Sequence, residues 1–366
     1  MGDFMKERIA YVDAAKGLSI LMIALGHITK LGNPVDLWMS SFKVSIFYII
    51  SGFLMCYSGS VKNRNFRKFS GKLLKSLGIP YIAFSIIGTL FKTACVYLKH
   101  KPADKVWETF LGYFYDSIFL KGVNSMWFIP TLFIGEIIFF WLLRSPRVIK
   151  AVYAVAGLFA IKMSFIINSL FMAGGALEMQ PGDALDNVVK LSNAVFKGVS
   201  AAWFLGAGYI IYIFYSRLKE PAIKLAAGIT LSVLNLVLSQ INTGVDFNQM
   251  KEGAYPYLFY ICGITGSVGA ILILDFITTY ARLNFLDYWG KNSLIIMCTH
   301  TVLGMRTVAY EGWKKVAFIP KTAGLEYICE CLVVLAILLM IEYSITEIIN
   351  SRFPFLIGKT ALYKER

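Results

Sequence analysis

Apolar positions along this 366-residue chain gather in long runs separated by mostly short polar connections, without the alternation or half-polar periodicity of a soluble fold. Ten runs can be placed, near 11–31, 41–60, 77–98, 126–143, 148–170, 199–215, 223–240, 256–278, 292–309 and 324–349. Most approach the roughly 20 residues that a helix needs to cross a bilayer. The pattern predicts an all-α integral membrane protein, a polytopic bundle of about ten transmembrane helices. No connection is long and polar enough for a soluble domain, so residues 1–366 are expected to form one transmembrane domain without an extramembrane one. There is no repeat at a fixed period and no low-complexity linker.

Composition supports this picture. Hydrophobic residues make up 57% of the chain and charged residues 16%, with a mean hydropathy of +0.63, whereas soluble domains are about a quarter charged. A net charge of +14 would suit nucleic acid, but its distribution points to membrane lipid instead. Basic residues cluster in alternate connections, as the positive-inside rule requires. Lys62, Arg64, Arg67, Lys68, Lys72 and Lys75 occur together without an acid and anchor one connection in the cytoplasm. Arg144, Arg147 and Lys150 fall on the same side, as do Arg217, Lys219 and Lys224, Arg282 and Lys291, and the tail with Arg352 and Lys359. Both termini are therefore expected to be cytoplasmic. The opposite connections are mixed, and 310–323, with Lys314, Lys315 and Lys321, breaks the rule. The amino terminus has a charged head but no clear small-residue cleavage site, so the first run reads as a retained span. Six cysteines, at 56, 95, 262, 298, 329 and 331, have no metal or disulfide spacing and read as buried thiols.

Chemistry concentrates in the first run. At about 100° per residue, Asp13 and Lys16 lie about 60° apart, Lys16 and His27 about 20°, and Asp13 and His27 about 40°. All three share one stripe, with His27 about 16 Å beyond Lys16. Ionisable groups in a span are costly and normally face protein or water. Each has a plain alternative: Lys16 can snorkel, Asp13 can serve the helix dipole or a salt bridge, and His27 can bond a neighbouring helix. Asp13 and His27 are about four turns apart, so any acid that orients His27 must come from another span.

The segment resembles the start of membrane acyltransferase family 3, polytopic enzymes that modify surface sugars. Lys16 and His27, ten residues between them, reproduce the family's basic-x10-His pattern, and Arg8, Asp13 and Lys16-Gly17 match its surroundings. Ser51-Gly52-Phe53 is similar to its second-span signature, Arg64 and Arg67 to its Arg-x-x-Arg element, and Trp127-Phe128-Ile129-Pro130 to its Trp-Phe-x-Pro motif. The Lys16-Gly17 and Gly26-His27 pairs resemble the fucose 4-O-acetylase-like branch. These five motifs fall in order within the first 130 residues; the later spans add number and hydropathy only.

The resemblance implies a bacterial, multi-pass cell-membrane O-acyltransferase. It implies acetyl-CoA as donor from the cytoplasmic side, a hydroxyl of a cell-surface or lipid-linked glycan as acceptor, and no metal. Transfer from a thioester to an alcohol needs a base at the hydroxyl and donors for the oxyanion. A neutral imidazole suits the first task, so His27 is expected as general base, with Asp13 as a charged partner that orients or compensates the basic groups. Arg8, Lys16, Arg64 and Arg67 are expected to meet the coenzyme A phosphates. Glu136, His300, Ser51 and Trp127 are secondary candidates: Glu136 as partner of a basic group, His300 as a second imidazole or a structural one, Trp127 as an interfacial anchor or a stacking surface. Lys92, Lys162, Asp275, Glu330 and Glu342 are assigned to span ends or salt bridges. Two other classes stay open: a secondary transporter with Asp13, Lys16 and His27 as a relay, and a membrane scaffold.

Overall fold

The computed structural model describes residues 9–29, 32–59, 65–173, 182–319 and 324–359. Helix dominates, and the described strands are a two-residue antiparallel pair, β1 (Val245–Asp246) and β2 (Lys251–Glu252). In order, the helices are α1 (Ala10–Gly26), α2 (Pro34–Phe42), α3 (Ser45–Ser58), α4 (Phe66–Leu73), α5 (Ile79–Leu98), α6 (Ala103–Ile118), α7 (Phe128–Arg144) and α8 (Arg147–Ala156). They continue as α9 (Ala160–Ala173), α10 (Ala184–Tyr215), α11 (Pro221–Ile241), α12 (Pro256–Tyr280), α13 (Asn284–Lys291), α14 (Ser293–Thr299), α15 (Met305–Lys314) and α16 (Leu325–Arg352).

Among the described residues, 7 helical stretches are long and apolar enough to cross a membrane: 34–58, 66–98, 124–144, 184–215, 221–241, 256–280 and 325–352. The other three expected spans are helical but shorter or broken. α1 has 17 residues and ends at Gly26 rather than near 31. The run at 148–170 is split by a 3-10 turn at Gly157–Phe159. The run at 292–309 is broken between α14 and α15, where Gly304 takes a left-handed conformation, φ +69°, that stops a helix readily. In the turn at the break the carbonyl of Thr301 accepts from Gly304 N at 3.2 Å and also from Lys92 Nζ at 3.1 Å and Asn124 Nδ2 at 3.0 Å. Lys92 is thus held by a carbonyl rather than by an acid.

The stretch 66–98 bends through one π turn at Leu74–Gly78, just ahead of Pro80. Proline has no N–H to continue the α ladder, and a π turn absorbs the mismatch. α6 lies in what reads from hydropathy as a loop. Its charged residues, among them Asp104, Lys105 and Glu108, mask an amphipathic helix that packs along α5, with the Tyr81 hydroxyl donating to Ser117 O at 2.7 Å.

Small residues set the closest helix crossings, as in other membrane bundles. α3 meets α10 where Gly52 lies on the backbone of Leu205 and Gly208 on that of Ile49. A β-carbon at either glycine would overlap main chain, which gives the Ser-Gly-Phe signature a packing reason. α1 crosses α13 in the same way, through Gly17 against Leu286 and Gly290 against Asp13. The buried core runs between these crossings, with Ile20, Ile46, Tyr48, Phe204 and Ile296 all sealed. Of the cysteines, 262, 298 and 331 are buried, whereas 56 and 95 are half-buried and Cys329 is exposed.

Candidate active site

His27 caps α1 in a right-handed helical conformation, φ −84° and ψ −14°. The carbonyls at a helix end lack intrahelical partners. Here the His27 carbonyl accepts from Arg306 Nη1 at 2.8 Å, so α15 fixes the end of α1. The imidazole is exposed and lines a partly open cavity of about 570 Å³ formed by α1, α2, Trp127 and the β1–β2 hairpin. Behind it lies His300, with ring centroids 5.2 Å apart and planes at 46°. His300 is wholly buried, its Nδ1 lies 2.5 Å from Ile296 O, and its Nε2 has no hydrogen-bond partner among the described residues. A ring nitrogen against a carbonyl must carry the proton, so Nδ1 donates and Nε2 presents a lone pair.

The facing wall is cationic and aromatic. Lys43, between α2 and α3, pairs with Asp36 at 3.8 Å and donates to Ser40 Oγ at 2.9 Å. Its ammonium occupies the space that a β-carbon at Gly26 would take, which brings the charge beside the end of α1. Asn33 caps α2 by accepting from Asp36 N at 2.9 Å, and Pro34 follows at the first helical position, as such a start favours. That cap sets Asp36 at the cavity. Trp127 and Phe247 stack with centroids 5.9 Å apart and 18° between planes. Phe247 rides on the β1–β2 hairpin, whose ends Asn242 clamps by donating to Glu252 O at 2.9 Å and accepting from Tyr255 N at 2.8 Å. Lys197, also buried, donates to Asn248 Oδ1 at 3.1 Å and lies 5.0 Å over the Trp127 ring.

The structure thus brings His27, His300 and Trp127 to one region and leaves the other sequence candidates elsewhere. Asp13 and Lys16 pair at 3.8 Å at the opposite end of α1, against α13. Arg67 is exposed on α4, while Arg8 and Arg64 lie outside the described residues. Ser51 donates to Glu136 Oε1 at 2.5 Å, tying α3 to α7, so the acid is bonded to a hydroxyl rather than to the basic group expected of it. Between Lys16 and His27 the stripe is filled by buried Ile20 and Ile23. Asp275 forms the expected ion pair, with Lys224 at 2.7 Å. Glu342 does not lie at a span end and, among the described residues, meets no cation: it is fully buried and accepts from Thr299 Oγ1 at 2.5 Å.

Sequence reasoning missed Lys43, Asp36, Arg306 and Phe247. Lys43 carries a readable signal, a lysine inside an apolar run, but it falls two residues into the expected second span and reads as a snorkelling end.

The acyltransferase 3 family, described as an acyltransferase domain, matches residues 9–347. The chain belongs to this family. The match runs from the residue before α1 into the last turns of α16, so both histidines and the whole cavity lie within it. Taken with the apolar helices, it makes the protein a multi-pass membrane acyltransferase. No curated protein and no solved structure matches the chain.

Proposed function

We propose that the protein transfers an acetyl group from acetyl-CoA to a hydroxyl of a cell-surface or lipid-linked glycan, with His27 as general base. The observation that carries this reading is the His27 imidazole, which opens into a 570 Å³ cavity within an acyltransferase domain. The acceptor hydroxyl attacks the thioester carbonyl carbon while His27 takes its proton. The carbonyl oxygen becomes an oxyanion, and the Lys43 ammonium beside Gly26 is the cation placed to stabilise it. The C–S bond then breaks, the thiolate leaves, and the imidazolium returns the proton to it. The Trp127 and Phe247 rings provide the apolar surface on which one face of a sugar ring would rest.

Positive-inside asymmetry supports donor access from the Asp13 end, with Arg8, Lys16, Arg64 and Arg67 meeting the phosphates. The extended pantetheine arm would cover the rise of about 16 Å from Lys16 to His27. Ile20 and Ile23 fill that stripe, so the arm has to displace them. On this reading Asp13 holds Lys16 rather than His27, and Ser51 with Glu136 braces α3 against α7.

The test uses purified protein in vesicles supplied with labelled acetyl-CoA and a glycan extract, together with mass spectrometry of surface glycans from cells with and without the protein. Coenzyme A release coupled to acetylated glycan, and loss of that acetyl mark without the protein, are expected. Solute uptake without coenzyme A release would overturn the reading in favour of a transporter.

A further inference from the structure

Behind the cavity, against His27, lies a second imidazole for which a single general base gives no reason. His300 is completely buried, it stands where α14 breaks, and among the described residues it leaves Nε2 unpartnered. An unmet buried acceptor is costly, so its retention beside His27 calls for a function. The tautomer is set, because Nδ1 spends its proton on Ile296 O. The backbone around it is held on three sides. Thr299, the preceding residue, donates to fully buried Glu342; Ser125 Oγ donates to Met297 O at 2.8 Å; and Arg306 N donates to the His300 carbonyl at 2.9 Å. His300 is therefore rigid, while His27, exposed to the cavity, can turn its ring.

We propose that His300 is the positioning residue of the site, its Nε2 accepting a hydrogen bond from one His27 nitrogen so that the other, facing the cavity, is left as the base. This rests on His27 being the base of the transfer reaction. The separation allows the bond. Each ring nitrogen lies about 1.2 Å from its ring centre, so with His300 fixed and the His27 ring turned toward its Nε2, centres 5.2 Å apart bring two nitrogens to about 3 Å, a hydrogen-bond length. One neutral imidazole then takes the place that a carboxylate fills in a serine-protease triad. It orients His27, selects its tautomer and supports the imidazolium that forms when the hydroxyl proton is taken. No proton leaves the pair: His27 gains one from the acceptor and returns it to the departing thiolate.

The experiment compares His300→Gln, whose side-chain carbonyl reaches about where Nε2 lies, with His300→Met, which fills the space without an acceptor. Both are measured alone and on a His27→Ala background, with melting temperature followed alongside. His300→Met is expected to lower kcat about 100-fold while KM for acetyl-CoA stays within about twofold. His300→Gln should recover at least about tenfold of that loss, and neither change should slow His27→Ala further, because the two residues act as a unit. Should Met destabilise the bundle, His300→Asn replaces it, since Asn can keep the bond to Ile296 O but cannot reach His27. Equal rates in the Gln and Met (or Asn) variants, or full additivity with His27→Ala, would overturn the proposal. If wild-type transfer does not depend on His27, the assignment of the base fails instead, and the two failures are distinct.

Discussion

Gly26→Ala separates charge placement from folding. A β-carbon at this position would lie 3.4 Å from Lys43 Cε and 3.8 Å from Asp36 Oδ1, and it would overlap the Lys43 ammonium itself. The ammonium is the far end of a flexible side chain, so it gives way rather than the backbone. To restore normal contact it retreats by about 1 Å, away from the end of α1 and the cavity beside His27. A shift of that size in a group that stabilises developing charge costs about 100-fold in rate, equivalent to about 2.7 kcal/mol of barrier. Stability should scarcely change. Alanine gains up to about 1 kcal/mol over glycine in a helix, and the largely buried Lys43–Asp36 pair, 3.8 Å apart, is shifted rather than left with one partner missing, so its loosening offsets that gain without removing the pair. The assay is coenzyme A release at saturating donor, with melting temperature as the folding control and Lys43→Met as the charge control. Gly26→Ala and Lys43→Met should each lose about two orders of magnitude in kcat, and the glycine change should add nothing once Lys43 is gone. Wild-type turnover in both variants would refute the role given to Lys43.

Other outcomes follow from packing and burial. Gly52→Ala places a β-carbon on the Leu205 backbone, where neither main chain can yield locally, so α3 and α10 must separate. A loss of about 3 kcal/mol is expected, read as a lowered unfolding midpoint in detergent. Glu252, on the β1–β2 hairpin, is buried, and its Oε1 has no hydrogen-bond partner among the described residues. Burial pushes its pKa above the ordinary carboxylate value, while the positive charge of Lys162 opposes the shift. A carboxyl raised in the folded state contributes its stability fully below its unfolded pKa and loses it as pH rises through the folded value. Glu252→Gln should therefore raise the melting temperature at neutral and alkaline pH, and the gain should vanish in acid; a gain independent of pH would contradict this account.

The membrane class and the family were legible because they are written in features local to the chain. Run length reports bilayer thickness, and the spacing from Lys16 to His27 lies within one helix. What the sequence withheld is what separate helices bring together. His27 and His300 meet only because α1 ends beside the break after α14, and the sequence signal for that break is a single glycine at 304. Lys43 reads as an end of a span because nothing nearby in sequence indicates that Gly26 leaves room for its ammonium. α6 escaped because a search for uniformly apolar runs passes over an amphipathic helix, whose signal is periodic. Glu342 was misread for a related reason. Position in a span suggests an end or an ion pair, whereas its partner is a hydroxyl 43 residues away on α14.

The central claim is that His27 takes the proton from the acceptor hydroxyl. It is tested most directly by single-turnover transfer of labelled acetyl from acetyl-CoA, comparing wild-type protein with His27→Ala at equal loading of bound donor. The account predicts unchanged donor binding and a transfer step slowed by at least about 100-fold. Transfer at the wild-type rate by His27→Ala would contradict it.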